Sequence, residues 1–120
     1  MKRIYFDRAA AGPVSAEVLE AMLPYFREDF GNPSSLHAEG RRALDALDNA
    51  RGLVASLVGA DEEEIYFTSS GSEANNLAVK GLAGAMKSKG DHLVISAVEH
   101  ASVINSALAL ERAGFRVTTV

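Results

Sequence analysis

The chain has 120 residues, 48% of them hydrophobic and 23% charged, with a formal net charge of −4 and no cysteine. Those figures fit one ordinary globular domain with a core to bury. They exclude a binder that neutralises nucleic-acid phosphates, a disulfide scaffold, a thiolate zinc site and any cysteine nucleophile supplied by this chain.

Three histidines in separate segments give no reason to expect a metal site. No apolar run approaches the roughly 20 residues of a membrane span. The apolar stretch after Met1-Lys2-Arg3 ends at Asp7, too soon for a secretion signal. The expectation is a cytoplasmic protein without a membrane or nucleic-acid partner.

Ile4 to Asp7 reads as short and extended, and Ala9-Ala10-Ala11-Gly12-Pro13 as a turn into a helix from about Ala16 to Asp29. Val18, Met22, Tyr25 and Phe26 give that helix an apolar stripe, and Pro24 is a candidate kink. Gly31-Asn32-Pro33-Ser34-Ser35 has the chemistry of a loop. A longer helix follows to about Val58, with Ala43, Leu47, Ala50, Val54 and Leu57 on one face and Gly59 placed to end it.

From Glu64 onward the pattern becomes βαβαβ. Strands are expected at Ile65–Thr68, His92–Ser96 and Phe115–Val120, with helices at about Ser72–Met86 and Ala101–Ala113 between them. Ala74, Leu77, Ala78, Gly81, Leu82 and Ala85 form the expected buried stripe of the first of these helices. Alternation of this length implies an α/β fold with a parallel sheet. The organisation is an N-terminal segment with two helices over 1–60 and the beginning of an α/β domain over 61–120. The pattern stops inside a strand, and parallel strands are normally covered on both faces. The chain therefore reads as the front of a longer protein, against the alternative of a small domain with an edge strand.

The most informative stretch is Thr68-Ser69-Ser70-Gly71-Ser72-Glu73-Ala74-Asn75-Asn76. A strand runs into hydroxyl residues and a glycine where a helix begins, so free N–H groups and the positive end of the dipole converge on one spot suited to phosphate. Gly71 lets backbone approach, and the Ser70 and Ser72 hydroxyls add donors. The competing reading is a helix cap at Ser70 with Glu73 completing a capping box. Local pattern leaves both open. The stretch matches neither the P-loop nor the dinucleotide fingerprint.

His100 in Val98-Glu99-His100 follows the next strand, and ligands of open α/β sheets sit beyond the carboxyl ends of strands. An imidazole there can stack on a planar ring or move protons. On local pattern alone the simpler reading is a cap on the helix beginning near Ala101.

Four motifs in order carry a resemblance: Tyr5-Phe6-Asp7, Phe30-Gly31-Asn32-Pro33-Ser34-Ser35-Leu36-His37, Ile65 through Asn76, and Glu99-His100. Together they resemble the cysteine desulfurases of the NifS/IscS type, which are class V, fold-type I enzymes using pyridoxal 5′-phosphate. The resemblance runs from Ile4 to Val120. It implies an N-terminal helical segment followed by the start of the parallel-sheet cofactor-binding domain. It further implies a homodimer that removes sulfur from L-cysteine, leaving alanine and an enzyme persulfide for iron–sulfur scaffolds or other sulfur acceptors. Gly71 and Ser72 would hold the cofactor phosphate, and His100 would stack on its ring and help move protons. Asn32 to Ser35 would lie near the mouth of the site.

Two departures from the family stand out. Asp7-Arg8-Ala9-Ala10-Ala11-Gly12-Pro13 replaces the common D-N-A-A-T-T-P, losing an asparagine and two hydroxyls, with Arg8 expected on the surface. The family's Schiff-base lysine, its pyridine-pairing aspartate and its persulfide cysteine fall beyond Val120. Lys80, Lys87 and Lys89 are poorly placed substitutes, so this chain alone is expected to be inactive. Another class V enzyme, such as a selenocysteine lyase or aminotransferase, and a short non-catalytic binding or dimerising module are the alternatives.

Overall fold

The chain separates into two compact units, one through Ile65 and one from Tyr66 to Val120. The computed structural model describes residues 4–120; Met1-Lys2-Arg3, read above against a secretion signal, lies outside the described residues.

In the first unit, the Ser15 Oγ accepts the Val18 N–H and starts helix α1 (Ala16–Arg27). Pro24 lacks the N–H that would bond one turn back. The helix nevertheless continues to Arg27, and the Pro24 carbonyl accepts from both Glu28 and Asp29. The apolar stripe of α1 is exposed, Phe26 at 70%, and only Leu23 on this helix is half-buried.

Asn32 builds the following loop with its own atoms: its side-chain oxygen accepts the Ser34 N–H, and its carbonyl accepts that of Ser35. His37 then caps helix α2 (Ala38–Val58), which ends at Gly59 in the left-handed conformation at φ 69°. The expected face of α2 is only partly right. Ala43 and Leu47 are half-buried, but Leu57 is 84% exposed and the buried residues are Gly40 and Ala55. A short 3₁₀ turn at Glu62–Glu64 packs on α2, and the Arg51 guanidinium donates to the Ile65 carbonyl.

Gly40 is buried because the loop backbone passes directly over it. A Cβ there would overlap the Ser35 carbonyl oxygen and lie 2.8 Å from that of Asn32. Gly31 is equally tight against the Glu39 carbonyl. These two glycines let the loop lie against the first turn of α2.

The second unit holds α3 (Gly71–Ala85), β1 (His92–Ile95), α4 (Ala101–Arg112) and β2 (Arg116–Thr119). Strands β1 and β2 pair in parallel, Leu93 opposite Val117, with α4 as the connection. Ion pairing of Asp91 with Arg116 at 2.9 Å and the contact of His92 Nε2 with Thr118 Oγ1 at 2.8 Å fix the entry end. The expected strand at Ile65–Thr68 is a correction. Ile65 is extended at φ −97°, ψ 120°, but the sheet contains only β1 and β2 among the described residues. Strand-favouring side chains extend the backbone, whereas a ladder also needs an adjacent strand.

The C-terminus of α4 makes a Schellman motif around Gly114 at φ 91°. The Phe115 N–H reaches the Leu110 carbonyl at 3.0 Å and the Gly114 N–H that of Glu111 at 3.0 Å. That closure buries Leu110 and Phe115, which with Ala107 are the core of this unit. Lys87 sits over the Phe115 ring at 5.2 Å.

A second correction concerns α3. The expected buried stripe is exposed, Leu77 at 54% and Leu82 at 63%, whereas Asn75, Val79 and Ala83 are half-buried. These recur every four residues on a side of α3, and α3 packs on α4. Ala78, Val79, Leu82 and Ala83 line an apolar groove of about 620 Å³ with Leu93 and Phe115.

Replacing Gly40 by alanine should destabilise the fold by about 1–3 kcal/mol through overpacking against backbone. At Gly81, inside α3, an added methyl group would meet only open space, so alanine there should instead stabilise by up to about 1 kcal/mol. Thermal unfolding followed by circular dichroism checks both. An unchanged midpoint for Gly40→Ala would show that the loop yields.

Candidate functional site

The N-termini of α3 and α4 are held together inside the second unit. Asn75, in the second turn of α3, donates from Nδ2 to the Oγ of Ser102 in the first turn of α4 at 2.8 Å. Ser102 is 9% exposed and Ser106, whose Oγ donates to the Ser102 carbonyl at 2.7 Å, is fully buried. Gly71 and Ser72 open one of these helices and His100 precedes the other, so the second unit brings these sequence-predicted site residues to neighbouring helix ends.

At α3 the Ser70 cap is present, its Oγ accepting the Glu73 N–H at 3.2 Å. The expected capping box closes one residue earlier than read from sequence. The Glu73 carboxylate accepts from the Ser69 N–H at 2.7 Å and the Ser69 hydroxyl at 2.6 Å, rather than from Ser70. The N–H groups of Gly71 and Ser72 have no acceptor among the described residues, nor does the Ser72 hydroxyl have a partner there. Gly71 faces open space, where a Cβ would meet nothing within 4 Å. Unpartnered donors, an accessible glycine and the helix dipole favour a small anion such as phosphate.

At α4 the imidazole of His100 is the cap, Nδ1 accepting the Ser102 N–H at 3.1 Å. Nδ1 also lies 2.8 Å from the Ser102 hydroxyl. Nε2 has no hydrogen-bond partner among the described residues, and the side chain is exposed. Both caps read from sequence therefore form, and neither engages the Gly71 and Ser72 N–H groups or His100 Nε2.

Asn75 and Ser102 were not singled out from sequence. Their signal was a polar side chain on the α3 side facing α4 and a serine two residues after His100. Lys80 is exposed and bonds Asn76 Oδ1 at 2.6 Å. Arg8 is exposed, and the Asn32–Ser35 loop belongs to the first unit.

The aminotransferase class-V family model matches residues 4–120. The chain is 48% identical over 117 residues to a cysteine desulfurase IscS of Methanosarcina thermophila, covering 98% of this chain and 29% of that protein. Among solved structures, a NifS-like protein superposes with a TM-score of 0.92 at 34% identity, over 99% of this chain and 33% of the other. A structure of SspA in complex with cysteine gives 0.88 at 46% identity, over 97% and 33%. The chain thus spans about a third of the length of the proteins it matches.

The Ser69 hydroxyl, then the Ser69 N–H, holds the Glu73 carboxyl below its ordinary value of 4.5. A lowered folded value gives stability that is present above the unfolded value and lost as pH falls through the folded one. Glu73→Gln should therefore flatten the fall of the unfolding midpoint below about pH 5. Melting curves across that range test it, and an unaltered slope would remove Glu73 from the acid response.

Proposed function

Because the chain belongs to the aminotransferase class-V family, we propose that it is the front portion of a cysteine desulfurase that depends on pyridoxal 5′-phosphate. The activity belongs to the longer enzyme. The observation that carries the reading is the pairing of unpartnered α3 donors with the free Nε2 edge of His100, joined through Asn75 and Ser102.

The residues present fit the cofactor. Gly71 and Ser72 offer two N–H groups and a hydroxyl to its phosphate across an open approach. His100 offers an exposed aromatic face to its pyridine ring. When bound, the cofactor supplies the electron sink for carbanion chemistry on an amino acid. Ser72 anchors the phosphate, the α3 dipole offsets its charge, and Nε2 of His100 gives and takes a proton at the substrate. The proposed net reaction breaks the C–S bond of L-cysteine and forms an S–S bond with an enzyme thiol, leaving alanine and a persulfide. That thiol is not from this chain, which has no cysteine.

The same reading extends to a homodimer that hands its sulfur to an iron–sulfur scaffold or another acceptor protein. A persulfide passes to an acceptor thiol most readily where thiols are kept reduced, the reason for proposing the cytoplasm.

In the full-length enzyme, Ser72→Ala should weaken cofactor binding by about 1.5–3 kcal/mol, one charge-assisted hydrogen bond. Equal affinity would leave Ser72 with a role in the helix alone. His100→Ala should lower alanine release from L-cysteine on the order of 100-fold or more while the protein stays folded. Unchanged turnover would sink the assignment of His100.

A further inference from the structure

The bonds around Ser102 constrain where the proton of His100 sits. A hydroxyl has one proton to give. Ser102 Oγ accepts from Asn75 Nδ2 at 2.8 Å, and its proton then points to His100 Nδ1 at 2.8 Å. The Ser102 N–H reaches the same Nδ1 at 3.1 Å, so this nitrogen faces two donors and carries no proton of its own in the neutral ring. The ring proton is left on Nε2, the edge without a partner among the described residues. Ser106, fully buried, bonds the Ser102 carbonyl at 2.7 Å and fixes the backbone that carries the hydroxyl.

We propose that Asn75 and Ser102 are positioning residues that hold His100 in its Nε2-protonated tautomer with the ring at a set angle. Its consequence for turnover rests on the reading of His100 given above; the tautomer itself does not. Asn75 orders the chain of bonds, because its amide donates to the hydroxyl and leaves that hydroxyl only Nδ1 to serve. Loss of either side chain leaves Nδ1 with the Ser102 N–H as its one dependable donor, so the hold on ring angle and tautomer weakens.

The test is two-bond ¹H–¹⁵N correlation of the full-length protein labelled in histidine, at about pH 8 where an ordinary imidazole is neutral. His100→Gln assigns the signal, and spectra are recorded with and without pyridoxal 5′-phosphate. His100 should show an unprotonated Nδ1 and a protonated Nε2. Ser102→Ala and Asn75→Ala should each move both nitrogens toward averaged shifts, and Ser102→Thr should restore the single tautomer. Asn75 is only half-buried, so its variant reports even where Ser102→Ala fails to fold. Alanine release should fall roughly tenfold in kcat with KM little changed, and recover in Ser102→Thr.

A protonated Nδ1 in the parent, or a single unaltered tautomer in Asn75→Ala, overturns the proposal. Averaged tautomers with unchanged kcat support the positioning of the ring and overturn only the role of His100 in turnover.

Discussion

The hydrogen bond between Asn75 and Ser102 is the contact on which the arrangement of the second unit turns. On α3, Leu77 and Leu82 stay more than half exposed, whereas Asn75, Val79 and Ala83 are half-buried, and of these Asn75 bonds directly to α4. A hydrogen bond of this kind is worth about 0.5–1.5 kcal/mol net, so a rotation or slide of α3 that broke it would be opposed by about that much, the Ser102 hydroxyl keeping its contact with His100 Nδ1. Together with the packing of α3 on α4, the bond ties the two helices to each other near their N-termini. Through Ser102 it links the N-terminal part of α3 to the capping imidazole of α4.

The hydrophobic contribution is concentrated at the other end of α4. The Schellman closure at Gly114 turns the chain back so that Phe115 is buried along with Leu110 immediately before β2 begins. Local backbone geometry thus places the core residue, fixes where β2 starts, and sets its register against β1. The ion pair of Asp91 with Arg116 lies at the same edge, exposed, and contributes modestly beside that burial.

Helix ends were the most legible feature of the sequence. Ser70 and Gly59 act through atoms whose geometry is local, so their residue types announce their positions. The parallel pairing was legible for the same reason, from strand-forming runs separated by a helix. The buried face of α3 was not. Periodicity counts apolar side chains, and here it selected Leu77 and Leu82, which stay more than half exposed, whereas the half-buried positions are Asn75, Asn76, Val79 and Ala83. The strand expected at Ile65–Thr68 failed on a related ground, since β-propensity describes one segment and a ladder is a property of two.

Cap and binding site were competing readings of the same turns, but the atoms separate them. Ser70 Oγ serves the Glu73 N–H, and His100 Nδ1 serves the Ser102 N–H. The Gly71 and Ser72 donors and His100 Nε2 remain outside those bonds. A cap holds the first turn rigid, and rigidity is what an anion site needs, since donors already fixed lose little entropy on binding. Glu73 follows the same logic. Its carboxylate, drawn back to Ser69, stabilises the helix start while its charge is already bound to two donors. At both helices, the bonds that satisfy the fold leave the Gly71 and Ser72 donors and His100 Nε2 outside them.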